Sequence, residues 1–289
     1  STRRLFSQTV AIVTGAASGI GKALCEQLAA ADATVILADL QGEQADQVAK
    51  SLRDQGLCAT AVPLDVTCLE AVTALVEQVY AEHGRLDYLF NNAGIGVGGE
   101  ARDFDEGDWK RVVDVNVHGV IHGVMAAYPR MVEAGCGHIV NTASVAGLFP
   151  LPGEISYTSS KFAVVGLSHT LRVEAAGLGV RVSVVCPGKI QTPIYETSKV
   201  VGFDRKHVFD LWPEGVTAEA CATQILRGVA ANRATIVITM HARLLWAAYR
   251  LSPRLAEFFG KRYMTQMRKH RLDGASPVHK LDRARQRAG

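Results

Sequence analysis

The sequence predicts an α/β fold in which a doubly wound, seven-stranded parallel sheet carries helices on both faces and is followed by a C-terminal helical extension. Short β-branched runs alternate with longer helical segments, and this alternation implies parallel strands joined by right-handed crossovers. The strand segments are almost continuously apolar, which is typical of strands covered on both faces. With 289 residues, 48% of them hydrophobic, the chain can bury a large core.

The predicted elements follow one another without an internal repeat or a low-complexity segment. Strands are predicted at residues 9–14, 33–38, 59–64, 86–90, 138–142, 180–185 and 234–239. Helices are predicted at residues 19–31, 41–55, 68–83, 108–134, 156–176 and 218–231. We therefore expect one domain over residues 1–239.

Residues 240–289, the predicted extension, contain 12 Lys and Arg against 3 Asp and Glu, a net charge of +9. Ser252-Pro253 is typical of an N-cap followed by a first-turn proline, so two helices are expected. An apolar stripe at helical spacing predicts that they pack on the same domain, with residues 275–289 frayed. Contact with an anionic membrane surface stays open as an alternative, because the helices are basic and amphipathic. The stripe consists of Leu244, Ala248, Leu251, Leu255 and Phe258.

Composition argues against several classes of protein. The formal net charge of +3 is too near balance to indicate nucleic-acid binding. The six cysteines contain no CxxC pair, which favours free thiols in a reducing compartment. The nine histidines show no HExxH or other metal-binding spacing, so no metal site is predicted. No secretory signal or membrane span is evident either, and we expect a cytoplasmic protein that acts on a small molecule.

A glycine-rich turn joins the first strand to the first helix. Residues 14–21 read Thr-Gly-Ala-Ala-Ser-Gly-Ile-Gly, which spaces Gly15, Gly19 and Gly21 as G-x3-G-x-G. Glycines leave room for a pyrophosphate, and the helix N-terminus offers unpaired N–H groups and a positive dipole end. In this context the turn predicts a dinucleotide site.

Asp39 ends the second strand, 18 residues after Gly21. A carboxylate at this point accepts hydrogen bonds from ribose hydroxyls and repels a 2′-phosphate. Neither Ser18 nor Leu40 supplies a basic group that would bind that phosphate. The pattern therefore favours NAD(H), with NADP(H) as the alternative.

Tyr157 and Lys161 stand at i and i+4 on a predicted helix, so their side chains share one face. Ser144 follows the fifth strand, thirteen residues before Tyr157. A phenol has a reference pKa of about 10, and an ammonium at ~4 Å favours phenolate by about 4 kcal/mol at an effective dielectric of ~20. We expect Lys161 to lower the pKa of Tyr157 into a working range for proton transfer, with Ser144 holding the substrate oxygen.

With these motifs, residues 8–239 resemble the short-chain dehydrogenase/reductase family. The family's Gly motif is matched by residues 14–21, and its turn after the fourth strand by Asn91-Asn-Ala-Gly94. Asp65-Val66 is similar to its adenine-side contact, and Asn116, Ser144, Tyr157 and Lys161 to its catalytic tetrad. Pro187-Gly188 and Thr192-Pro193 resemble its loop beside the nicotinamide.

The resemblance implies a Rossmann-like fold and a role for each tetrad residue. Tyr157 would give a proton to a carbonyl or take one from an alcohol, and Lys161 would bind the nicotinamide ribose. Ser144 would orient the substrate oxygen, and Asn116 would support a water in a proton relay, unless it is only a locally bonded helix amide. From the motifs and the resemblance together, the predicted cofactor-binding residues are Gly15, Ser18, Gly19, Ile20, Gly21, Asp39, Leu40, Asp65, Val66, Asn92, Ala93, Gly94, Tyr157, Lys161, Pro187, Gly188, Ile190 and Thr192.

The predicted function is hydride transfer between NAD(H) and an alcohol or ketone, as in an alcohol dehydrogenase or carbonyl reductase. The substrate is expected to be bulky and hydrophobic, of steroid, retinoid, terpenoid or long-chain type, because residues 145–151 and 190–212 are rich in apolar side chains. These side chains could instead pack a lid on the core. The apolar residues of the second segment include Ile194, Tyr195, Val200, Val201, Phe203, Val208, Phe209, Leu211 and Trp212.

Two further expectations concern the rival function and the assembly. A non-catalytic dinucleotide-binding scaffold would have no physical need for all of Asn116, Ser144, Tyr157 and Lys161, so the intact set counts against it. The resemblance also implies a homodimer or homotetramer that assembles through the helices at 108–134 and 156–176.

Overall fold

The computed structural model describes residues 2–205 and 215–272. Of the predicted lid, Val208, Phe209, Leu211 and Trp212 lie outside these residues, as does the stretch 275–289. The strands are β1 (Val10–Thr14), β2 (Thr34–Asp39), β3 (Ala59–Pro63), β4 (Tyr88–Asn91), β5 (Val97–Gly98), β6 (Gly137–Thr142), β7 (Val180–Pro187), β8 (Ile190–Gln191), β9 (Lys199–Val200), β10 (Val216–Thr217) and β11 (Thr235–Ile238). The α-helices are α1 (Thr2–Phe6), α2 (Gly19–Ala29), α3 (Gly42–Asp54), α4 (Leu69–His83), α5 (Glu106–Val113), α6 (Gly119–Ala134), α7 (Ile155–Glu174), α8 (Ile194–Thr197), α9 (Ala218–Ala230), α10 (Met240–Leu251) and α11 (Pro253–Met267).

Seven of these strands form one parallel sheet in the order β3-β2-β1-β4-β6-β7-β11. The chain starts in the middle of the sheet, moves outward to β3, and returns to β4 on the other side of β1. This reversal leaves a crevice at the carboxyl ends of β1 and β4, where ligands bind in open α/β sheets. The predicted Rossmann-like, doubly wound architecture is confirmed.

Apolar layers cover both faces of the sheet, as the unbroken apolar strands predicted. Consecutive residues Ile12 and Val13 of β1 point into opposite layers. Val13 packs in the layer that contains Leu28 of α2, and Ile12 in the layer that contains Met131 of α6; all four side chains are fully buried. The two layers fix the position of the crevice, because α2 and α6 are held against the sheet on opposite sides of it.

The helix predicted at residues 108–134 is wrong in its start and its continuity. Helix α5 begins earlier, because Asp105 caps it: the Asp105 carboxylate accepts from the Asp108 N–H at 2.8 Å, and the Asp108 carboxylate accepts from the Asp105 N–H at 3.3 Å. The residues Asp114–His118 then form a π-helical turn before α6. Such turns are frequent at functional sites, and this one carries Asn116.

The extension forms the two predicted helices, α10 and α11, and Ser252 caps the second by accepting from the Leu255 N–H at 3.3 Å. The prediction of its packing face is wrong, because the predicted stripe faces outward, with Leu244 63% and Leu251 87% exposed. The side chains that turn inward instead include Trp246 and Tyr249. Outward-facing apolar groups in a basic segment keep the predicted membrane contact as an open alternative.

Among residues 2–205 and 215–272, none of the helices combines the length and the apolarity that crossing a bilayer requires. Among the same residues, no three His, Cys, Asp or Glu side chains come together as a metal site would need. The rings of His118 and His122 stack with centroids 6.3 Å apart, and His122 Nδ1 is 2.9 Å from the carbonyl oxygen of Val66.

Candidate active site

The Gly loop (residues 14–21) turns sharply between β1 and α2, and two glycines are sterically required in it. Gly15 has φ +66°, and a Cβ at this position would lie 2.8 Å from Cα of Ala93. A Cβ on Gly21 would lie 2.0 Å from the carbonyl oxygen of Gly15. The N-cap residue of α2, Ser18, makes no side-chain capping bond, so the first N–H groups of the helix remain available to an anion.

The Gly loop is held to the turn after β4 by hydrogen bonds. The hydroxyl of Thr14 accepts from the backbone N–H groups of Asn92 and Ala93, both at 3.0 Å. The Asn92 amide in turn donates to the carbonyl oxygen of Thr14 at 3.1 Å. Asn92 and Ala93 therefore hold the Gly loop against the turn after β4.

Asp39 lies at the end of β2, beside the Gly loop. One of its carboxylate oxygens accepts from the Ala17 N–H and the other from the Gln41 N–H, both at 2.9 Å. These bonds fix the carboxylate at the rim of the crevice while leaving acceptor capacity on each oxygen. Leu40 next to it is exposed.

The residues after β3 lie at the same edge of the sheet, because β3 pairs with β2. Asp65 forms a turn in which its Oδ1 accepts from the N–H of Thr67 at 2.9 Å and from its hydroxyl at 2.7 Å. Val66 is buried, and a Cβ on Gly119 would lie 2.8 Å from its side chain. This places both predicted adenine-side residues next to the strand that ends in Asp39.

The loop after β7 approaches the Gly loop from the other side. A Cβ on Gly19 would lie 3.0 Å from Cγ2 of Thr192, so these two predicted cofactor residues are neighbours. Ile190 is buried in the core, whereas Pro187 ends β7 and Gly188 follows it. Of the predicted nicotinamide-side residues, Thr192 therefore lies next to the Gly loop, whereas Ile190 packs in the core.

Helix α7 carries Tyr157 and Lys161 toward the crevice. The Lys161 ammonium lies 5.5 Å from the centre of the Tyr157 ring and donates to the carbonyl oxygen of Thr142 at 2.9 Å. A Cβ on Gly94 would lie 3.3 Å from both Lys161 Nζ and Asn116 Oδ1. The predicted tetrad residues on three different elements thus meet beside the turn that holds the Gly loop.

Burial dominates the electrostatics of this pair. Desolvation raises the pKa of Tyr157 well above its ordinary value, against the lowering effect of a hydrogen bond with Ser144. Desolvation also lowers the pKa of Lys161 to about 8. The expectation that Lys161 lowers the pKa of Tyr157 is therefore wrong for this geometry, because the ammonium bonds to Thr142 and the loss of water around the phenol has the larger effect.

Asn116 is fully buried in the π-helical turn and its amide is fully engaged. Its Oδ1 accepts from the Ile95 N–H at 2.9 Å, and its Nδ2 donates to the Ile95 carbonyl at 2.9 Å and to the Ser160 hydroxyl at 3.0 Å. The amide is satisfied within the protein, as the alternative for Asn116 expected, but its partners are distant in sequence and not local. The amide links the segment after β4 to helix α7.

The substrate side of the crevice is formed by the loops after β6 and β7. Ser144 Oγ accepts from the Ala146 N–H at 3.1 Å, which fixes the hydroxyl at the end of β6. Farther along this loop, Phe149 is buried against Tyr249 of α10, with ring centroids 5.7 Å apart. In the second loop, Phe203 packs on Met267 of α11. Part of the apolar segment predicted to contact substrate therefore contacts the extension.

Four charged residues fasten the end of the extension to the segment after β4, and we call them the ion-pair cluster: Glu100, Asp103, Arg268 and Arg271. The Arg271 guanidinium donates to both Asp103 oxygens at 2.8 and 2.6 Å, and Arg268 donates to Glu100 at 2.6 Å. Although burial alone raises the pKa of Glu100, hydrogen bonds from Arg268 and Arg102 bring it below its ordinary value. The cluster therefore fastens the end of the extension to residues 100–103.

Neither the ion-pair cluster nor Glu154, which lies near Tyr157, was predicted from the sequence. Glu154 precedes α7 and interacts electrostatically with Tyr157 and Tyr195. It lies three residues before Tyr157 in sequence, but it is the N-cap residue of α7 and not part of the helix. Nothing local in the sequence points to the ion-pair cluster, because Asp103 and Arg271 are 168 residues apart.

Known proteins with similar sequences and structures agree with this geometry. A sequence profile described as short chain dehydrogenase matches residues 9–226. The chain is 40% identical over 189 residues to the 3-oxoacyl-[acyl-carrier-protein] reductase of Thermotoga maritima, a match that covers 65% of this chain and 76% of that protein.

Two solved structures share the fold over most of the chain. A short-chain dehydrogenase/reductase from Burkholderia phymatum in complex with NAD has a TM-score of 0.76 and 32% identity, covering 85% of this chain and 95% of its own. A short-chain dehydrogenase from Sphingobium yanoikuyae in complex with NADPH has a TM-score of 0.73 and 28% identity, covering 84% and 92%. The profile spans more than half of the chain, and the motif-based resemblance is confirmed. This chain belongs to the short-chain dehydrogenase family of oxidoreductases.

Proposed function

We propose that this protein is an NAD(H)-dependent alcohol dehydrogenase or carbonyl reductase that acts on a bulky hydrophobic substrate. The observation that carries the proposal is the meeting of Tyr157, Lys161 and Ser144 beside the Gly loop. A phenol in contact with a hydroxyl and near an ammonium is suited to exchanging a proton with a substrate oxygen. The coarser assignment, an oxidoreductase, follows from the family.

The residues of the crevice fit a dinucleotide. Side chains at Gly15 and Gly21 would fill the space of the Gly loop, and the uncapped N-terminus of α2 offers N–H groups to a pyrophosphate. Asp39 would accept from ribose hydroxyls, and Lys161 would bind the ribose nearer the reacting carbon. When bound, NAD(H) supplies or accepts the hydride.

In carbonyl reduction, Tyr157 donates its phenolic proton to the substrate oxygen, and the Ser144 hydroxyl holds that oxygen by a hydrogen bond. Burial keeps Tyr157 protonated at neutral pH, so the site as it stands is suited to proton donation. Alcohol oxidation needs the phenolate, which the burial of Tyr157 disfavours in this geometry. Asn116 keeps α7 in position through Ser160.

NAD(H) is proposed over NADP(H) because of Asp39. Its carboxylate is fixed by Ala17 and Gln41 at the crevice rim, where it would repel a 2′-phosphate. The similar structures include one with NAD and one with NADPH, so the proposal depends on the local charge. Comparison of the two cofactors by kcat/KM tests it.

The substrate proposal depends on the apolar loops. Leu148, Phe149 and Leu151 after β6 are buried, and Ile190 after β7 is as well. A crevice bordered by such side chains favours large apolar alcohols and ketones over sugars, which need many fixed polar partners. We also propose a homo-oligomer, because α6 and α7 expose the apolar side chains of Met125 and Val173.

The decisive variant is Tyr157→Phe. Loss of the proton donor is expected to reduce kcat/KM for a hydrophobic ketone by about 10²–10⁴-fold while the Kd for NADH stays within about twofold. Turnover is followed by NADH absorbance and binding by NADH fluorescence. Tyr80→Phe is the matched control, because the buried Tyr80 hydroxyl has no hydrogen-bond partner among the residues that the structure describes.

If Tyr157→Phe keeps wild-type turnover, the assignment of the proton donor is wrong. If the wild type binds NADH but turns over no ketone or alcohol of a broad hydrophobic panel, the rival scaffold function is correct.

A further inference from the structure

The extension exposes a large share of the apolar side chains that the protein leaves in solvent. Residues 240–272 make up 33 of the 262 described residues, yet they hold seven of the fourteen large apolar side chains that are exposed. Exposed apolar groups that cluster in this way mark interaction surfaces, whereas scattered ones do not. Six of the seven lie on α10 and α11, and we call them the outward residues: Met240, Leu244, Leu251, Leu255, Phe258 and Phe259.

Helical spacing places the outward residues of α10 on one face. Met240, Leu244 and Leu251 stand at i, i+4 and i+11, which is one side of a helix over three turns. The side chains that pack inward, Trp246 and Tyr249, belong to the other side. Helix α10 therefore has one apolar face against the domain and a second one in solvent.

The apolar surface continues past the Ser252 cap into α11. Leu251 ends α10 and Leu255 lies in the first turn of α11, and both are exposed. One turn farther on, Phe258 and Phe259 are each more than half exposed, and their ring centroids lie 5.6 Å apart. Because each Phe side chain buries a large area in an interface, this pair can contribute strongly to binding.

The extension also carries positive charge that the protein itself does not neutralise. Glu257, the one acid between residues 240 and 272, is already paired with Lys261. Arg268 and Arg271 are used in the ion-pair cluster. Of the basic residues in this stretch, the other five pair with no carboxylate of residues 2–205 and 215–272, and we call them the uncompensated cations: Arg243, Arg250, Arg254, Arg262 and Lys269.

The uncompensated cations lie beside the outward residues. Arg243 and Arg250 are seven residues apart and follow one edge of the outward face of α10. Arg262 stands four residues after Phe258 and shares its face of α11. Long basic side chains that border an apolar stripe can keep their charges among lipid headgroups while the stripe enters the acyl boundary.

A second copy of this chain is a poorer occupant of this surface. In a symmetric dimer the same patch meets itself, so the uncompensated cations of one protomer would face those of the other. Such like-charge contacts oppose association. An anionic lipid surface supplies both an apolar layer and the missing negative charge.

We propose that α10 and α11 form a binding surface for anionic membranes, in which the outward residues enter the headgroup region and the uncompensated cations contact lipid phosphates. The two helices lie in the plane of the membrane surface and do not cross it. The ion-pair cluster fastens the extension to residues 100–103, so the whole domain is attached with it.

The experiment is flotation of the full-length protein with lipid vesicles, without substrate or cofactor, so its outcome is independent of the proposed function. Vesicles of phosphatidylcholine alone are compared with vesicles of phosphatidylcholine and phosphatidylglycerol in equal parts. The wild type is expected to float with the anionic vesicles and to stay in solution with the neutral ones. Raising NaCl from about 0.05 M to about 0.5 M shortens the Debye length and is expected to weaken the binding.

Two variants separate the apolar contribution from the charged one. Phe258→Ser is expected to lower the partition coefficient on anionic vesicles by about tenfold, because much of the burial of one Phe side chain is lost. Arg262→Gln is expected to lower it by about fivefold, the effect of one basic residue near an anionic surface. The matched controls are Leu5→Ser, at a comparably exposed apolar residue, and Lys50→Gln, at an exposed lysine of α3. Both controls are expected to bind as the wild type does.

The proposal is overturned if the wild type binds neither kind of vesicle, if it binds both equally, or if the two variants bind as well as their controls. Light scattering after gel filtration tests the other occupant. If Phe258→Ser breaks up an oligomer that the wild type forms, a second copy covers the outward residues and the proposal is wrong. Circular dichroism checks that the variants are folded, and the comparison of the two vesicle types requires no variant.

Discussion

The cofactor side and the substrate side of the crevice are built by different kinds of interaction. On the cofactor side, neutral hydrogen bonds between Thr14 and Asn92 join two adjacent strands of the sheet. On the substrate side, the charged pair of Asp103 and Arg271 joins segments 168 residues apart. The difference teaches that the Gly loop depends on the packed sheet, whereas the attachment of the extension depends on long-range charge pairing.

The largest expected effect is on the ion-pair cluster. Asp103→Asn removes a carboxylate that is buried in the fold and leaves Arg271 without its bidentate partner. Breaking a buried pair costs about 3 kcal/mol, the lower end of the usual range because Arg271 keeps Glu100. We expect the free energy of unfolding in urea to fall by this amount, and KM for a hydrophobic ketone to rise while the Kd for NADH changes little.

The control for this comparison is Lys261→Gln, which breaks an exposed ion pair with Glu257 on the same extension. Exposed pairs contribute about 0–1 kcal/mol, so little change is expected. An equal loss of stability in Asp103→Asn and Lys261→Gln would show that the ion-pair cluster does not fasten the extension to the domain.

A smaller effect is expected on the cofactor side from Gly21→Ala. The added Cβ would lie 2.0 Å from the Gly15 carbonyl oxygen, so the Gly loop has to shift. Overpacking of this kind costs about 2 kcal/mol. We expect the Kd for NADH, measured by fluorescence, to rise by at least tenfold.

Gly166→Ala is the matched control, because a Cβ at Gly166 meets no atom within 4 Å. Retention of wild-type NADH affinity by Gly21→Ala would contradict the assignment of the Gly loop as the pyrophosphate site.

The smallest expected effect sharpens the choice of cofactor. Asp39→Asn keeps a hydrogen-bond acceptor beside Ala17 but removes the charge that repels a 2′-phosphate. The ratio of kcat/KM with NAD(H) to that with NADP(H) is expected to fall about tenfold. This corresponds to a free-energy difference of about 1.36 kcal/mol. Asp46→Asn, on the exposed face of α3, is the control. A wild type that prefers NADP(H) would refute the proposed cofactor preference.

The parts of the molecule that sequence reasoning reached are those with local signals. The strands, the Gly loop and the i, i+4 spacing of Tyr157 and Lys161 each depend on neighbouring residues, and their places in the fold agree with the prediction. The π-helical turn was missed because the Asn116 amide is bonded to Ile95 and Ser160, which no helical periodicity reveals.

The extension shows a second limit. Its spacing correctly predicted two helices, but a helix with apolar residues on more than one side does not reveal which side packs. In the structure, Trp246 and Tyr249 pack inward, Tyr249 against Phe149, whereas Leu244 and Leu251 are exposed. The pKa of Tyr157 was misjudged for a related reason, because its environment depends on burial that appears only once the loops are in place.

The fastening of residues 268 and 271 onto residues 100 and 103 also sets an order of events during synthesis. Every strand of the central sheet leaves the ribosome before the two arginines that complete this fastening. A nascent chain can therefore form the central sheet before the extension is fastened to residues 100 and 103. Only a chain that has been synthesised beyond Arg271 can form both the sheet and the complete ion-pair cluster.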